Sequence, residues 1–160
     1  MDELYHFIEY KPTHATRENV YIVTLVSRQP RQIVGFDVAE DKSPERLQGI
    51  IDSAPRAQSY ATDGYTGYID LVYLGSHIRN ISNKNDTFTV EGINADLRHY
   101  IPVLARCSRC FCRTLETLKS VIAVFVDAYN RFGEAKMKYR ALRNLGKDSR
   151  EVPFGVVDFL

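Results

Sequence analysis

Three acidic residues carry the most specific chemistry in this 160-residue chain. Asp2 opens the first apolar segment, Met1-Asp2-Glu3-Leu4-Tyr5. Asp63 ends a short apolar run in Tyr60-Ala61-Thr62-Asp63-Gly64-Tyr65. Glu91 lies in a helical pattern, Val90-Glu91-Gly92-Ile93-Asn94-Ala95-Asp96-Leu97-Arg98. Mg²⁺ takes a few carboxylates and leaves positions for water and phosphate oxygens. Two strand-end aspartates and one helix glutamate can converge on two such ions, the equipment for cutting and rejoining phosphodiester bonds. Singly, each acid has an ordinary explanation: a terminus, an Asp-Gly turn, a solvated helix position. Their joint placement points to metal chemistry.

The helix around Glu91 carries a second pattern. At 100° per residue, Glu91, Asn94 and Arg98 fall within about 60° of one another. Ile93, Leu97, Tyr100 and Leu104 gather near the opposite side. One face can therefore pack while the other presents acid, amide and guanidinium together. A guanidinium two turns from a metal-bound carboxylate suits a site that holds phosphates. Pro102 removes a donor and should kink or shorten this helix.

These residues need elements to hold them. Residues 2–10, 19–28 and 32–40 read as three strands in an antiparallel meander, with Gln29-Pro30 as a turn. Ser43-Pro44-Glu45 is a helix start with Ser as N-cap and Pro in the first turn, and Leu47, Ile50 and Ile51 share one face. Pro55 ends that helix. Residues 57–62 form a short strand into Asp63-Gly64, and 65–75 hold a short helix. His77 to Ile81 is a fifth strand. Helices follow over Thr87 to about Arg106 and Thr114 to about Arg143, the latter with Gly133 as a possible break. The order implies an α/β fold with one mixed five-stranded sheet, β-β-β-α-β-α-β-α, and an extra C-terminal helix. Residues 1–145 make one domain, and 146–160 a tail with an apolar stretch from Val152.

Composition bounds the rest. Hydrophobic residues make up 44% and charged residues 26%, which argues for a packed domain rather than disorder. No apolar run reaches the ~20 residues that span a bilayer, and no basic-then-apolar signal segment opens the chain. The expected location is cytoplasmic, without a membrane partner. Net charge is +1, but Arg and Lys concentrate between Arg98 and Arg150, a path for a phosphate backbone or simply a solvated helical surface. Cys107, Cys110 and Cys112 form no disulfide framework, and Cys107-x-x-Cys110 lacks the further ligands of a zinc site.

Together these segments resemble the catalytic domain of DDE transposases from bacterial and archaeal insertion sequences, closest to the second-reading-frame product of the insertion-sequence-one family. Met1-Asp2-Glu3 with Tyr5 and Phe7 is similar to that family's Asp-Glu-x-Trp segment. Thr62-Asp63-Gly64-Tyr65-Thr66-Gly67-Tyr68 is similar to Thr-Asp-Gly-Trp-x-x-Tyr. Glu91-x-x-Asn94-x-x-x-Arg98 resembles its Glu-x-x-Asn-x-x-x-Arg helix. Cys110-Phe111-Cys112-Arg113-Thr114 and Tyr129-Asn130 also correspond. Tyr65 stands in place of the family's Trp, and Cys112 in place of a Ser.

The resemblance implies a ribonuclease H-like fold with Asp2, Asp63 and Glu91 as catalytic metal ligands. It implies two Mg²⁺ or Mn²⁺ ions, with Asn94 and Arg98 at the DNA. The implied activity is cleavage of transposon ends and their joining to target DNA, by homo-oligomers assembled on DNA. In this family the zinc-containing and helix-turn-helix DNA-binding part comes from an upstream reading frame, so its product is the expected partner. The alternatives are a truncated or inactive fragment that inhibits transposition by binding DNA or oligomerising, and a ribonuclease H-like nuclease.

Overall fold

β-Branched residues dominate the first sheet and dictate its form. In the computed structural model, which describes residues 1–7, 19–79, 88–104 and 112–144 and side chains as far as Arg131, three strands form the expected meander. β1 (Asp2–Phe7), β2 (Asn19–Ser27) and β3 (Gln32–Ala39) are antiparallel in that spatial order. Alternate residues of a strand face opposite sides. Leu4, Val20 and Ile22 therefore join one core, and Val23 and Leu25 the other. Both faces are covered, which explains why β2 reads as a continuous apolar run rather than an alternating one.

The register shifts between Leu25, opposite Gly35, and Val26, opposite Ile33, so Val34 is the extra residue of a bulge. Gly35 matters there. A Cβ at Gly35 would stand 3.0 Å from Ile50 Cγ2 and 3.2 Å from the Ile50 carbonyl. The bare backbone lets the first helix approach the sheet.

That helix, α1 (Pro44–Ser53), buries Leu47, Ile50 and Ile51 as the spacing predicts. Ser43 occupies the N-cap position but makes no side-chain capping bond. Its N–H instead donates to Asp41 Oδ1 at 2.9 Å, so Asp41 orders the entry to the helix.

β4 (Ser59–Thr62) pairs in parallel with β5 (Ser76–Arg79). The expected single five-stranded sheet is thus two ladders, one of three strands and one of two. The reason is local. β1 begins level with Ala61, and the Met1 amino group donates to the Ala61 carbonyl at 2.8 Å, which joins β1 to β4 at one point only. The expected helix over 65–75 is a 3-10 turn, Thr66–Tyr68, because Gly64, Gly67 and Gly75 disfavour a longer one.

α2 (Phe88–Tyr100) stops short of the expected Arg106. Pro102 starts a 3-10 turn over Pro102–Leu104, as a residue lacking an N–H should. α3 (Leu115–Asn144) is capped by Thr114, whose Oγ1 accepts from the Thr117 N–H at 3.2 Å, and it passes Gly133 without a break. Ile93, Leu97, Leu118 and Ile122 are fully buried where α2 and α3 cover the first face of the sheet. Asn130 clasps Ile33: its Oδ1 accepts from the Ile33 N–H at 2.8 Å, and its Nδ2 donates to the Ile33 carbonyl at 2.9 Å.

The fold is α/β with antiparallel and parallel pairing; the strands and the three α-helices come in the expected order, but a 3-10 turn replaces the helix expected between β4 and β5, and the strands form two ladders rather than one five-stranded sheet. Cys107, Cys110, the strand ends at 8–10 and 80–81, and the tail at 146–160 lie outside the described residues. Among the described residues, no helix is long and apolar enough to cross a membrane.

Candidate metal centre

β4 ends at Thr62, and the next residue is Asp63. One carboxylate oxygen from each of Asp2, Glu3 and Asp63 lies within 4.8 Å of the others. Asp2 and Glu3 are sequence neighbours and should face opposite sides of the sheet. They do: Asp2 meets α2, and Glu3 meets Lys42 ahead of α1. They converge with Asp63 because β1 begins there, at the edge of its sheet.

Each acid has its own support. Asn94 Nδ2 donates to Asp2 Oδ2 at 3.0 Å, and Asn94 Oδ1 accepts from the buried Thr24 hydroxyl at 3.2 Å. Asp63 Oδ1 accepts from the Tyr65 N–H at 2.9 Å, a local turn that fixes its side chain. Glu3 Oε1 lies 3.3 Å from Lys42 Nζ. That ammonium sits 3.8 Å from the Tyr65 ring centroid and 4.9 Å from that of Tyr21, a geometry in which ring faces attract a cation. Tyr68 is wholly buried, and its hydroxyl faces Glu3 without a hydrogen bond of standard geometry. Behind Asp63, Arg79 donates to the Gly64 carbonyl, and the Thr62 hydroxyl meets His77 Nε2 at 2.9 Å.

Electrostatics favour a cation here. Burial raises the Asp2 pKa, and the charge of Asp63 adds to that rise, against the hydrogen bonds from Asn94 and the Glu3 backbone. Burial also raises the Glu3 pKa, while Lys42 opposes it. Burial, then the charges of Glu3, Asp63 and Asp2, push the Tyr68 phenol upward. Three carboxylates are hard oxygen donors, suited to Mg²⁺ or Mn²⁺. Two ligands on opposite sides of one Mg²⁺ stand about 4.2 Å apart, so small side-chain rotations would close the 4.8 Å cluster around an ion. Cys112 is buried, with its thiol pushed up by burial, and packs in the core.

Asp2 and Asp63 therefore come together as their sequence settings suggest. Glu91 does not belong to the three-acid group; it is half-buried on α2, one turn before Asn94. Asn94, assigned to DNA by resemblance, is 7% exposed and engages Asp2 and Thr24 with its two side-chain polar atoms. Its role in the fold is to position Asp2. Arg98 is half-buried, and its charge joins burial in lowering the pKa of His6 on β1. Glu3 is the acid that residue patterns miss. The available signal was its place beside Asp2 at the very start of a strand. Comparisons with protein-family models, characterised proteins and solved structures returned no match.

Proposed function

We propose that this chain is a catalytic domain for divalent-metal-dependent phosphoryl transfer on DNA, of the kind that cleaves transposon ends and joins them to target DNA. The observation that carries the reading is the meeting of the Asp2, Glu3 and Asp63 carboxylates within 4.8 Å. The ordered resemblance of the segments around Asp2, Asp63 and Glu91 supports the choice of chemistry.

Asp2 and Asp63 are the principal ligands in this reading. Glu91, on the helix that also holds Asn94, is the acid assigned to complete a second coordination shell. Asp2, Asp63 and Glu91 would hold divalent ions there, whose charge, when bound, would suit activation of water or a 3′-hydroxyl and stabilisation of a leaving oxygen. Asn94 keeps Asp2 in a fixed rotamer, and the Tyr65 N–H does the same for Asp63. Lys42 offsets Glu3, so the acids are not left as three uncompensated charges. Arg98 and the basic residues after it are assigned to DNA phosphates. Groove contacts rather than phosphate contacts read sequence, so recognition of transposon ends is assigned to the product of an upstream frame, with the chain acting as an oligomer on DNA.

The test is a strand-transfer assay with pre-cleaved transposon ends, a target duplex and Mg²⁺ or Mn²⁺, using this chain alone and fused behind the upstream product. Metal-dependent joining that Asp2→Asn and Asp63→Asn abolish supports the transposase. Cutting without joining would make it a nuclease. Binding without either reaction would make it an inhibitory fragment.

A further inference from the structure

Lys42 lies in the short link between β3 and α1, and side chains from three other places hold its ammonium. Glu3 Oε1, from β1, lies 3.3 Å from Nζ. The ring centroid of Tyr65, just after β4, lies at 3.8 Å, and that of Tyr21, on β2, at 4.9 Å. Tyr65 also fixes Asp63 through its backbone N–H. One residue therefore sets both the ammonium and an acid of the cluster.

This arrangement holds the ammonium without satisfying it. Ring faces attract a cation but supply no acceptor oxygen. An ammonium carries three N–H donors, and among the described residues Glu3 is its hydrogen-bond acceptor. The Lys42 side chain is 21% exposed and that of Glu3 11%, so the ammonium is the member of the pair more open to an incoming group. Glu3 also belongs to the three-acid group. A carboxylate drawn to a divalent ion attracts a neighbouring ammonium less, because the ion cancels its charge. The two rings would keep the ammonium in place with its donors open. A compact cation so placed suits a phosphate oxygen.

We infer that Lys42 is a phosphate-binding residue of this site, paired with Glu3 at rest and passed to an oxygen of a DNA phosphate once a divalent ion engages Glu3. The role rests on the metal-dependent reading of the acids and adds to it a residue and an exchange of partners. The competing account is a fixed pair in which Lys42 only cancels the charge of Glu3. The two differ on one point: exchange makes the phosphate contact depend on metal.

The experiment measures the affinity of the full chain for a short DNA duplex over a range of monovalent salt, in chelator and in fixed Mn²⁺. The variants are Lys42→Met, Lys42→Gln and Lys42→Arg; the second neutral variant guards against one failing to fold. In Mn²⁺ the slope of log affinity against log salt should fall by about one for Met and Gln and stay for Arg. In chelator all four slopes should agree. If Mn²⁺ tightens DNA binding by the unaltered chain but the Met and Gln slopes stay unchanged, the role of Lys42 is overturned and the metal reading stands. A fall of equal size with and without Mn²⁺ would make Lys42 an ordinary surface cation and overturn the exchange. DNA affinity of the unaltered chain that ignores Mn²⁺ would remove the metal reading, and this role with it.

Discussion

Asn94 Nδ2 reaches Asp2 Oδ2 at 3.0 Å across 92 residues of sequence, and this bond ties α2 to the first residue of β1. The Thr24 hydroxyl holds the other end of the same amide. One buried side chain thus fixes a carboxylate, a central strand and a helix relative to one another.

Removing that amide should hurt both stability and site geometry. Asn94→Ala leaves the Thr24 hydroxyl and one Asp2 oxygen without their shared partner, at a cost of about 1–3 kcal/mol. Asn94→Asp should cost more, because it sets a second carboxylate against Asp2. Urea denaturation of the three proteins tests the ranking. Equal midpoints would show that the amide positions nothing.

Asp2 should be a stability liability when no metal is bound. Burial raises its folded pKa, so the folded chain holds this proton more tightly than the unfolded one. Its stabilising contribution is full below the unfolded value of about 3.9 and is lost as pH rises through the folded pKa. Asp2→Asn should therefore melt roughly 2–4 °C higher at pH 7 in chelator, with the gap closing near pH 3. Mn²⁺ should reverse the order. At ~100 times its Kd it would stabilise the unaltered chain by about 2.7 kcal/mol and the variant little. Thermal scans in chelator and in Mn²⁺ give both readings, and an unchanged order on adding metal counts against the centre.

Asn130 should matter for stability without touching the acids. Asn130→Ala removes both bonds to the Ile33 backbone and should cost about 1–3 kcal/mol. Metal affinity, measured by titration under folding conditions, should be unchanged. A large fall in affinity would show that α3 is coupled to the site.

Arg98→Ala tests the assignment of this residue to DNA. One lost phosphate contact lowers the slope of log affinity against log salt by about one. An unchanged slope, with destabilisation instead, would place Arg98 among the residues that support β1 near His6.

The meander was legible because β-branched runs separated by a Gln-Pro turn have few other solutions. α1 was legible from Pro44 and the Leu47-Ile50-Ile51 spacing, and the end of α2 from Pro102. Asp63 was legible because an Asp-Gly pair closing an apolar run fixes its own side chain through a turn. Glu3 was not, since strand alternation assigns it to the face opposite Asp2. That rule loses its force at the end of a strand, where both faces open onto the same edge. The bonds of Asn94 to Asp2 and Thr24 were not legible for a related reason. Helical periodicity places it beside Glu91 but cannot say that Thr24 and Asp2 already wait there. The division into two ladders depends on which strand edges meet, a long-range matter that local patterns do not encode.

Met1 and Leu4 sit on opposite sides of β1, one in each hydrophobic core. The strand is therefore a shared wall, and its two leading carboxylates answer to different rooms. Loosening the packing beneath α1 should disturb Glu3 first, while loosening it beneath α2 should disturb Asp2. The spacing between two adjacent residues becomes a gauge of how well both halves of the interior are assembled.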